Sequence, residues 1–414
     1  MRTILHSDLN NFYASVECLR NPEIRDKPVV VVGSKEDRHG IVLAKNLIAK
    51  RAGVATGDVW WEAQRKCGPE LVEVKADFAA YLDVSRAVRR IYEDYTDKIE
   101  AFGIDECWLD VTESEKQAGG EEIAHAIRRR IKKELGLTVS IGVSWNKVFA
   151  KLGSDMNKPD AVTVISPDNF RQTVWTLPAE ELLYVGRATK GKLNRMGIFT
   201  IGELANSDRD ALKPRLGKWG EWLHDFANGK DSSRVVKTSE EQNVKSIGNS
   251  LTVWRDLKNR EEVSMVIFML ADSVAARMRE SGLFLARTAH IFARGSDLNS
   301  FHKQGKLPRP TGAANEIARA ALNLFDRVYD WETPVRGLGV SVSDFHFGGV
   351  QTDMFSDCVK ADRQKRLDEA VDKIRKKYGN KIIQLAVVHK EPKLKELDVK
   401  GEHVIHPYSF FRHD

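Results

Sequence analysis

The sequence predicts an α+β protein of several domains, and three observations carry that prediction. The chain has 414 residues, too many for a single hydrophobic core. Strand-like and helix-like periodicities alternate over residues 1–165, then give way to short helical pieces over 166–235. Strands and helices alternate again over 247–345.

Taken in order, "TILHSDL" (Thr3–Leu9) reads as a short strand. "NNFYASVECLRN" follows as a helix, with Phe12, Val16 and Leu19 at helical spacing. "KPVVVVG" (Lys27–Gly33) is a continuous β-branched run, the mark of a buried strand. Residues Ile41–Arg51 pass from strand to helix, and Gly53 ends that helix. Phe78–Ile99 reads as one long amphipathic helix, with Tyr81, Val84, Val88 and Ile91 on a common face. A strand over 101–111, a helix over 121–135 and the strand "LTVSIGVSW" (Leu137–Trp145) complete this part. A β-helix-β-β-helix-β order predicts an antiparallel or mixed sheet with helices on one face, the ferredoxin-like arrangement.

Beyond Ile165, Gly186 and Gly197 bracket a helical turn pattern that Arg215–Leu223 repeats loosely. Polar residues 229–246 read as a linker. The helices of the next part are expected over 261–280 and 311–330, and one more over 361–378 among loops. No tandem repeat or low-complexity tract is visible.

Composition is that of a soluble globular protein, 42% hydrophobic and 30% charged. No apolar run approaches the ~20 residues that span a bilayer, and Met1-Arg2-Thr3 leads straight into a strand, so no membrane and a cytosolic setting are expected. Cys18, Cys67, Cys107 and Cys358 form no CxxC pair, which argues against structural zinc and a disulfide framework. The net charge of +6 suits a polyanionic partner. The basic runs Arg128–Lys133 and Lys373–Lys377 read by themselves as solvated helix faces.

Within "AFGIDECWLD" (Ala101–Asp110), Asp105 and Glu106 stand side by side in a half-buried strand. Neighbours on a strand point to opposite faces, so something cationic must reward both. A divalent metal does: hard cations take oxygen ligands, commonly one or two carboxylates with substrate phosphates. Asp8, at the end of the first strand, supplies a third carboxylate if the two strands are neighbours. Three such groups can hold two ions about 4 Å apart, the arrangement used in phosphoryl transfer. Taken alone, Asp8 reads as a helix cap and Asp105-Glu106 as surface charge.

"HSDLNNFYASVE" (His6–Glu17), "GIDECWLDVT" (Gly103–Thr112) and "SIGVSWNKVFAKLGSDMNKPD" (Ser140–Asp160) occur in this order. With them the sequence resembles the Y-family DNA polymerases, the DinB/UmuC type of translesion enzyme. The likeness continues through "VGRATKGKLNRMGI" (Val185–Ile198) and "KSIGNS" (Lys245–Ser250), covering residues 1–346. It implies a right-hand polymerase, with a ferredoxin-like palm (1–10 and 75–165) and small fingers (11–74). A helix-hairpin-helix thumb (166–235), a linker (236–246), an α+β little finger (247–346) and a C-terminal tail (347–414) follow.

The implied activity is template-directed, low-fidelity DNA synthesis past damaged bases, from dNTPs on primer-template DNA. No separate exonuclease carboxylate set is apparent, so proofreading is not expected. The resemblance makes Asp8, Asp105 and Glu106 the catalytic carboxylates and, with the Leu9 carbonyl, the ligands of two Mg²⁺ ions that Mn²⁺ can replace. Tyr13 becomes the steric gate against a 2′-hydroxyl, flanked by Phe12. Lys158 and Lys50 fall on triphosphate contacts; many relatives carry arginine at the latter position, and lysine loses its bidentate fork. Ala44 and Leu47 stand where a hydroxyl residue and a tyrosine are usual, a loss of ~1 kcal/mol of nucleotide binding each. Ile41, Leu43 and Gly57 match positions over the nascent base pair, and the bulk of Ile41 and Leu43 implies small lesions rather than bulky ones.

For DNA, the resemblance implies phosphate contacts at Gly186, Arg187 and Thr189, and candidates at Lys245, Arg255, Arg287 and Arg294. "QTDMF" resembles the bacterial sliding-clamp pentapeptide, with Met354 and Phe355 as the apolar plug and Gln351 at the rim. A monomer of the bacterial cytoplasm, at the nucleoid when engaged, is expected. Two other readings compete: a weakly active or inactive DNA-binding scaffold acting through the clamp, which Leu47 and Ala44 leave open, and a palm-type nucleotide cyclase. The thumb-like and little-finger-like regions argue against the cyclase.

Overall fold

Every residue from Ile4 to Leu9 is buried, which a strand sustains only in a sheet covered on both faces. The computed structural model, which describes residues 1–33, 40–114, 118–238, 240, 244–283, 285–346 and 358–401, places it in such a sheet. The described residues form two compact units, one over 1–32, 42–114, 118–238 and 240, and another over 244–283, 285–346 and 358–401 with residues 33, 40 and 41.

The first unit begins with β1 (Ile4–Leu9), α1 (Phe12–Arg20), β2 (Val29–Val32), β3 (Val42–Lys45), α2 (Leu47–Arg51), α3 (Trp60–Cys67) and β4 (Val72–Lys75). It continues with α4 (Phe78–Glu93), β5 (Ile99–Ala101), β6 (Glu106–Asp110), α5 (Gly120–Leu135), β7 (Val139–Ser144), α6 (Lys147–Met156) and β8 (Val162–Val164). The main sheet has the order β5-β6-β1-β7-β8; β1 runs antiparallel to both neighbours, and β7 and β8 are parallel. A smaller sheet, β3-β2-β4, closes its own core around Val30, Val32, Val42, Ala49 and Ala63.

Three local expectations change. Helix α4 stops at Glu93 instead of running to Ile99, because the Thr96 hydroxyl donates to the Asp110 carbonyl and accepts from the Lys98 amide, closing a turn. The strand expected over 101–111 is a hairpin, β5 and β6, with residues 102–105 as its bend. The helices lie on both faces of the sheet. A Cβ on Gly142 would meet the backbone of Ala150 and Ser154 in α6, whereas the neighbouring Val143 packs towards Gly120 of α5. Successive strand residues face opposite ways, and glycine at 142 is what admits the second helix.

Five short helices follow: α7 (Phe170–Thr173), α8 (Arg187–Asn194), α9 (Ile201–Asn206), α10 (Arg209–Leu216) and α11 (Lys218–Ala227). They share one core with Val148, Phe149 and Leu152 of α6. A reciprocal Thr200–Glu203 capping box starts α9. The stretch read as a linker is tied down in its first part. Arg2 donates to the carbonyls of Asp231 and Ser233 (2.8 and 2.6 Å), Val236 donates its amide to Glu100, and Thr238 reaches the Ile99 carbonyl. Its residues are polar because their partners are polar.

The second unit contains β9 (Ser246–Leu257), α12 (Arg260–Glu280), β10 (Leu285–Gly295), β11 (Ser300–Thr311), α13 (Ala314–Asp326), β12 (Val335–His346), α14 (Cys358–Tyr378) and α15 (Pro392–Glu396). Its antiparallel sheet, β11-β10-β12-β9, buries Ala289, Ile291 and Ala293 with α12 and α13, and leaves the alternate residues on an open face. Residues 358–401, read from the sequence as tail, pack onto this unit. Val388 and Leu394 enter its core, Arg375 is buried on Asp272 (2.9 Å), and Arg279 reaches Asp372 and Asp368. Docking through charge pairs and a few scattered aliphatic side chains, with Leu385, Val387, Leu397 and Val399 packed beside Val388 and Leu394, leaves little apolar periodicity to read. No described helix is long and apolar enough to cross a membrane.

Candidate active site

The question raised by Asp105 and Glu106 is answered by the hairpin. Asp105 ends the bend and Glu106 opens β6, so strand alternation does not separate them. The bend is held by the amides of Phe102 and Gly103 on the Glu106 carbonyl (3.0 and 3.2 Å), and by the Leu9 amide on the Asp105 carbonyl (3.0 Å). Both carboxylates turn towards Gly103: a Cβ there would stand 2.9 Å from Asp105 Oδ1 and 3.6 Å from Glu106 Oε1. Asp8 is the register partner of Glu106 on the adjacent strand. The three carboxylates therefore converge at one end of the sheet.

Their electrostatics differ. Burial, then the charges of Asp8 and Glu106, push Asp105 up to about 6. Burial would raise Glu106 too, but contact with His6 and the Lys151 ammonium outweighs it and holds the carboxyl at about 2. Burial raises Asp8, against the pull of Lys158. Lys158 Nζ lies 2.7 Å from Asp8 Oδ2, and Lys151 Nζ 2.6 Å from Glu106 Oε2. With these partners, no three His, Cys, Asp or Glu side chains among the described residues already stand as a ligand set.

His6 is fully buried on the same face, in edge contact with Trp108. Its Nδ1 lies 2.8 Å from Ser154 Oγ, whose own proton goes to the Lys151 carbonyl, so Nδ1 is the donor. Nε2 then faces Glu106 Oε2 at 3.4 Å. Burial lowers the pKa of His6, against the opposing pull of Glu106.

Phe12 is buried behind the site, and Tyr13 stacks on Tyr81 with ring centroids 4.4 Å apart and planes 11° from parallel. Burial and the charge of Asp105 raise the Tyr13 hydroxyl to about 12. On the small sheet, Leu43 and Ala44 lie in β3, and Leu47 and Lys50 in α2, whose N-terminus is capped by Asn46. Leu47 is exposed, as is Ile41 before β3. Sequence reasoning missed Lys45, which donates to Thr56 Oγ1 and whose pKa burial and the nearby Lys50 charge depress. It also missed Lys151 and His6. The signal lay in "NKVFAK", where lysines four residues apart share a helix face.

Gly186 caps α8 without a side-chain acceptor, leaving the first-turn amides of Arg187, Ala188 and Thr189 directed outwards. In the second unit, His290, Phe292 and Arg294 line the open sheet face with His302 and Ser341. A groove of about 590 Å³ runs over His290, Phe292, His302 and Lys303. Arg294 lies on this face, its Nε 3.2 Å from Ser300 Oγ. Arg287 pairs with His346, and Lys245 is exposed before β9. Arg255 pairs with Glu262 (3.0 Å) and Glu391 (2.9 Å) within the second unit. Gln351, Met354 and Phe355 lie outside the described residues.

Residues 7–155 match the impB/mucB/samB family, and residues 244–354 match the C-terminal domain of that family. A DNA polymerase IV of Acetivibrio thermocellus is 53% identical over 381 residues, covering 91% of this chain and 95% of the relative. The chain belongs to the Y-family of DNA polymerases, in its DNA polymerase IV branch. Clostridium acetobutylicum has a DNA polymerase IV that is 35% identical over 395 residues, covering 94% of this chain and 98% of the relative. Among solved structures, a Y-family polymerase chimera of Dbh and Dpo4 superposes with a TM-score of 0.73. Its identity is 25%, over 84% of this chain and all of the chimera. As in the Y-family likeness drawn from the motifs, the match spans both units.

Proposed function

We propose that this chain is a DNA-directed DNA polymerase that extends primers past damaged bases by two-metal nucleotidyl transfer from dNTPs, without proofreading. The observation that carries it is the convergence of Asp105 and Glu106 over Gly103, with Asp8 in register with Glu106. Carboxylates and the Leu9 carbonyl are the hard oxygen donors that Mg²⁺ takes, and Mn²⁺ after it. A side chain at 103 would intrude where two of these carboxylates meet. Two bound divalent ions supply the Lewis acidity that activates the primer 3′-hydroxyl and steadies the triphosphate.

The chain's own residues do the rest. Tyr13, braced by Tyr81, presents a ring that leaves no room for a 2′-hydroxyl. Lys158 and Lys50 neutralise the triphosphate; Lys45 adds a third cation beside Lys50. Ile41 and Leu43 cover the nascent pair, favouring small lesions, and Ala44 and Leu47 offer no side-chain donor to the phosphates. The amides at Gly186, Arg187 and Thr189 take a DNA phosphate. Arg294, Arg287 and Lys245 follow the duplex backbone along the second unit's sheet. The chain works as a monomer in the bacterial cytoplasm and is recruited to the sliding clamp through Gln351, Met354 and Phe355.

Primer extension with Mg²⁺ tests this reading, comparing the natural chain with Asp105→Ala. Extension by a few nucleotides and none by the variant is expected; DNA binding without extension by the natural chain overturns it in favour of the scaffold. Bypass of an abasic site should exceed bypass of a bulky adduct, and equal efficiency would discard the role of Ile41 and Leu43.

A further inference from the structure

Three carboxylates on one face of the main sheet each meet a lysine from the same stretch of chain. Lys147 Nζ lies 2.7 Å from Glu100 Oε1, Lys151 Nζ 2.6 Å from Glu106 Oε2, and Lys158 Nζ 2.7 Å from Asp8 Oδ2. Lys147 and Lys151 are one helical turn apart on α6, and Lys158 follows just beyond its end. The first pair is structural: Lys147 also sits 4.3 Å over the Trp108 ring, beneath the site. The other two pairs engage carboxylates that the site reading gives to metal ions.

A dication that uses Asp8 and Glu106 meets an ammonium already at contact distance on each. Like charges that close repel by several kcal/mol even at an effective dielectric near 20, so cation and ammonium cannot both keep the same carboxylate at full strength. Both lysines have a second acceptor within reach. Asp155 Oδ1 is 2.8 Å from Lys158, and Asp155 Oδ2 is 3.9 Å from Lys151. Asp155 is partly exposed and is positioned to keep either ammonium once its first partner is taken. Lys151 is further held by the Phe102 ring, 5.3 Å away.

We propose that Lys151 and Lys158 are internal counter-cations of Glu106 and Asp8, competing with divalent ions for these carboxylates, and that an incoming triphosphate relieves the competition by drawing Lys158 to itself. The inference rests on the metal reading proposed above. Its consequence is a site that binds divalent ions weakly alone and firmly with nucleotide, a coupling between two ligands through one side chain. Lys151 and Asp155 are positioning residues in this scheme, acting through the carboxylate and the lysines.

The test is Mn²⁺ binding to the full, nucleotide-free chain, counted from the free-ion electron paramagnetic resonance signal. Lys151→Met and Lys158→Met should each bind Mn²⁺ about three- to tenfold more tightly than the natural chain, since one nearby positive charge is gone. Lys151→Arg, which keeps the charge, should stay close to the natural value. Supporting residues of a metal site behave in the opposite way: their loss weakens binding. Unchanged or weaker binding by both methionine variants therefore overturns the proposal. Lys158→Gln, at a partly exposed position, gives the same readout if Lys151→Met does not fold. Asp105→Ala separates the two levels. Equal Mn²⁺ binding by it and the natural chain removes the site reading itself; loss there, without a gain in the lysine variants, removes only the competition.

Discussion

Gly142 and Ala150 meet backbone to backbone: a Cβ on Gly142 would lie 1.9 Å from the Ala150 carbonyl oxygen. This contact seats α6 on the sheet, and α6 carries Lys147, Lys151 and Ser154 to the acidic strand ends. Neither backbone can yield, so Gly142→Ala should destabilise the first unit by about 3 kcal/mol or more. Thermal unfolding measures the loss, and primer extension should fall with it.

Asp105 links stability to pH. Its folded pKa is raised from 3.8 to about 6, so folding favours the protonated form. The resulting stability is fully present below about pH 4 and is lost as pH rises through 6. In buffer holding EDTA, Asp105→Asn should therefore be more stable than the natural chain at pH 7.5 by about 1–3 kcal/mol, with the gap closing near pH 4. Denaturant unfolding across that range checks the sign. The same variant should not extend a primer.

Tyr13 is held as a plate by Tyr81 and Phe78, with centroids 4.4 and 5.8 Å away. On the proposed reading, exchanging it for alanine opens space under the sugar of an incoming nucleotide. Tyr13→Ala should raise ribonucleotide incorporation relative to deoxynucleotide by at least about tenfold. Single-nucleotide insertion with matched dNTP and rNTP pairs gives the ratio.

Arg255 and Arg294 looked alike in the sequence and should behave differently. Arg255 pairs with Glu262 and Glu391, so Arg255→Ala should cost about 1 kcal/mol of stability and leave the salt dependence of DNA binding unchanged. Arg294 lies on the open face, and Arg294→Ala should lower the salt slope by about 1. Leu394→Ala should cost the second unit ~2–4 kcal/mol, because residue 394 is core despite lying beyond the polymerase motifs.

Much of the architecture was legible because periodicity reports directly on burial. The β-branched run at 29–32 and the helices at 120–135 and 260–280 lie where their patterns put them. Patterns failed where local chemistry interrupts a period. Residues 101–111 look like one strand, but Phe102 and Gly103 fold back on the Glu106 carbonyl. Residues 358–401 look like solvated chain, yet their charges are partnered by α12.

From the sequence alone came the kinds of element and their order, and the proposal that Asp8, Asp105 and Glu106 act together, since these depend on local spacing and on motifs. Only the tertiary structure decided how Asp105 and Glu106 face the same way, and which lysine stands on which carboxylate. Those relationships join residues up to 150 positions apart, Lys158 to Asp8 among them. Their energies depend on distance and burial, and neither quantity exists until the chain has closed upon itself.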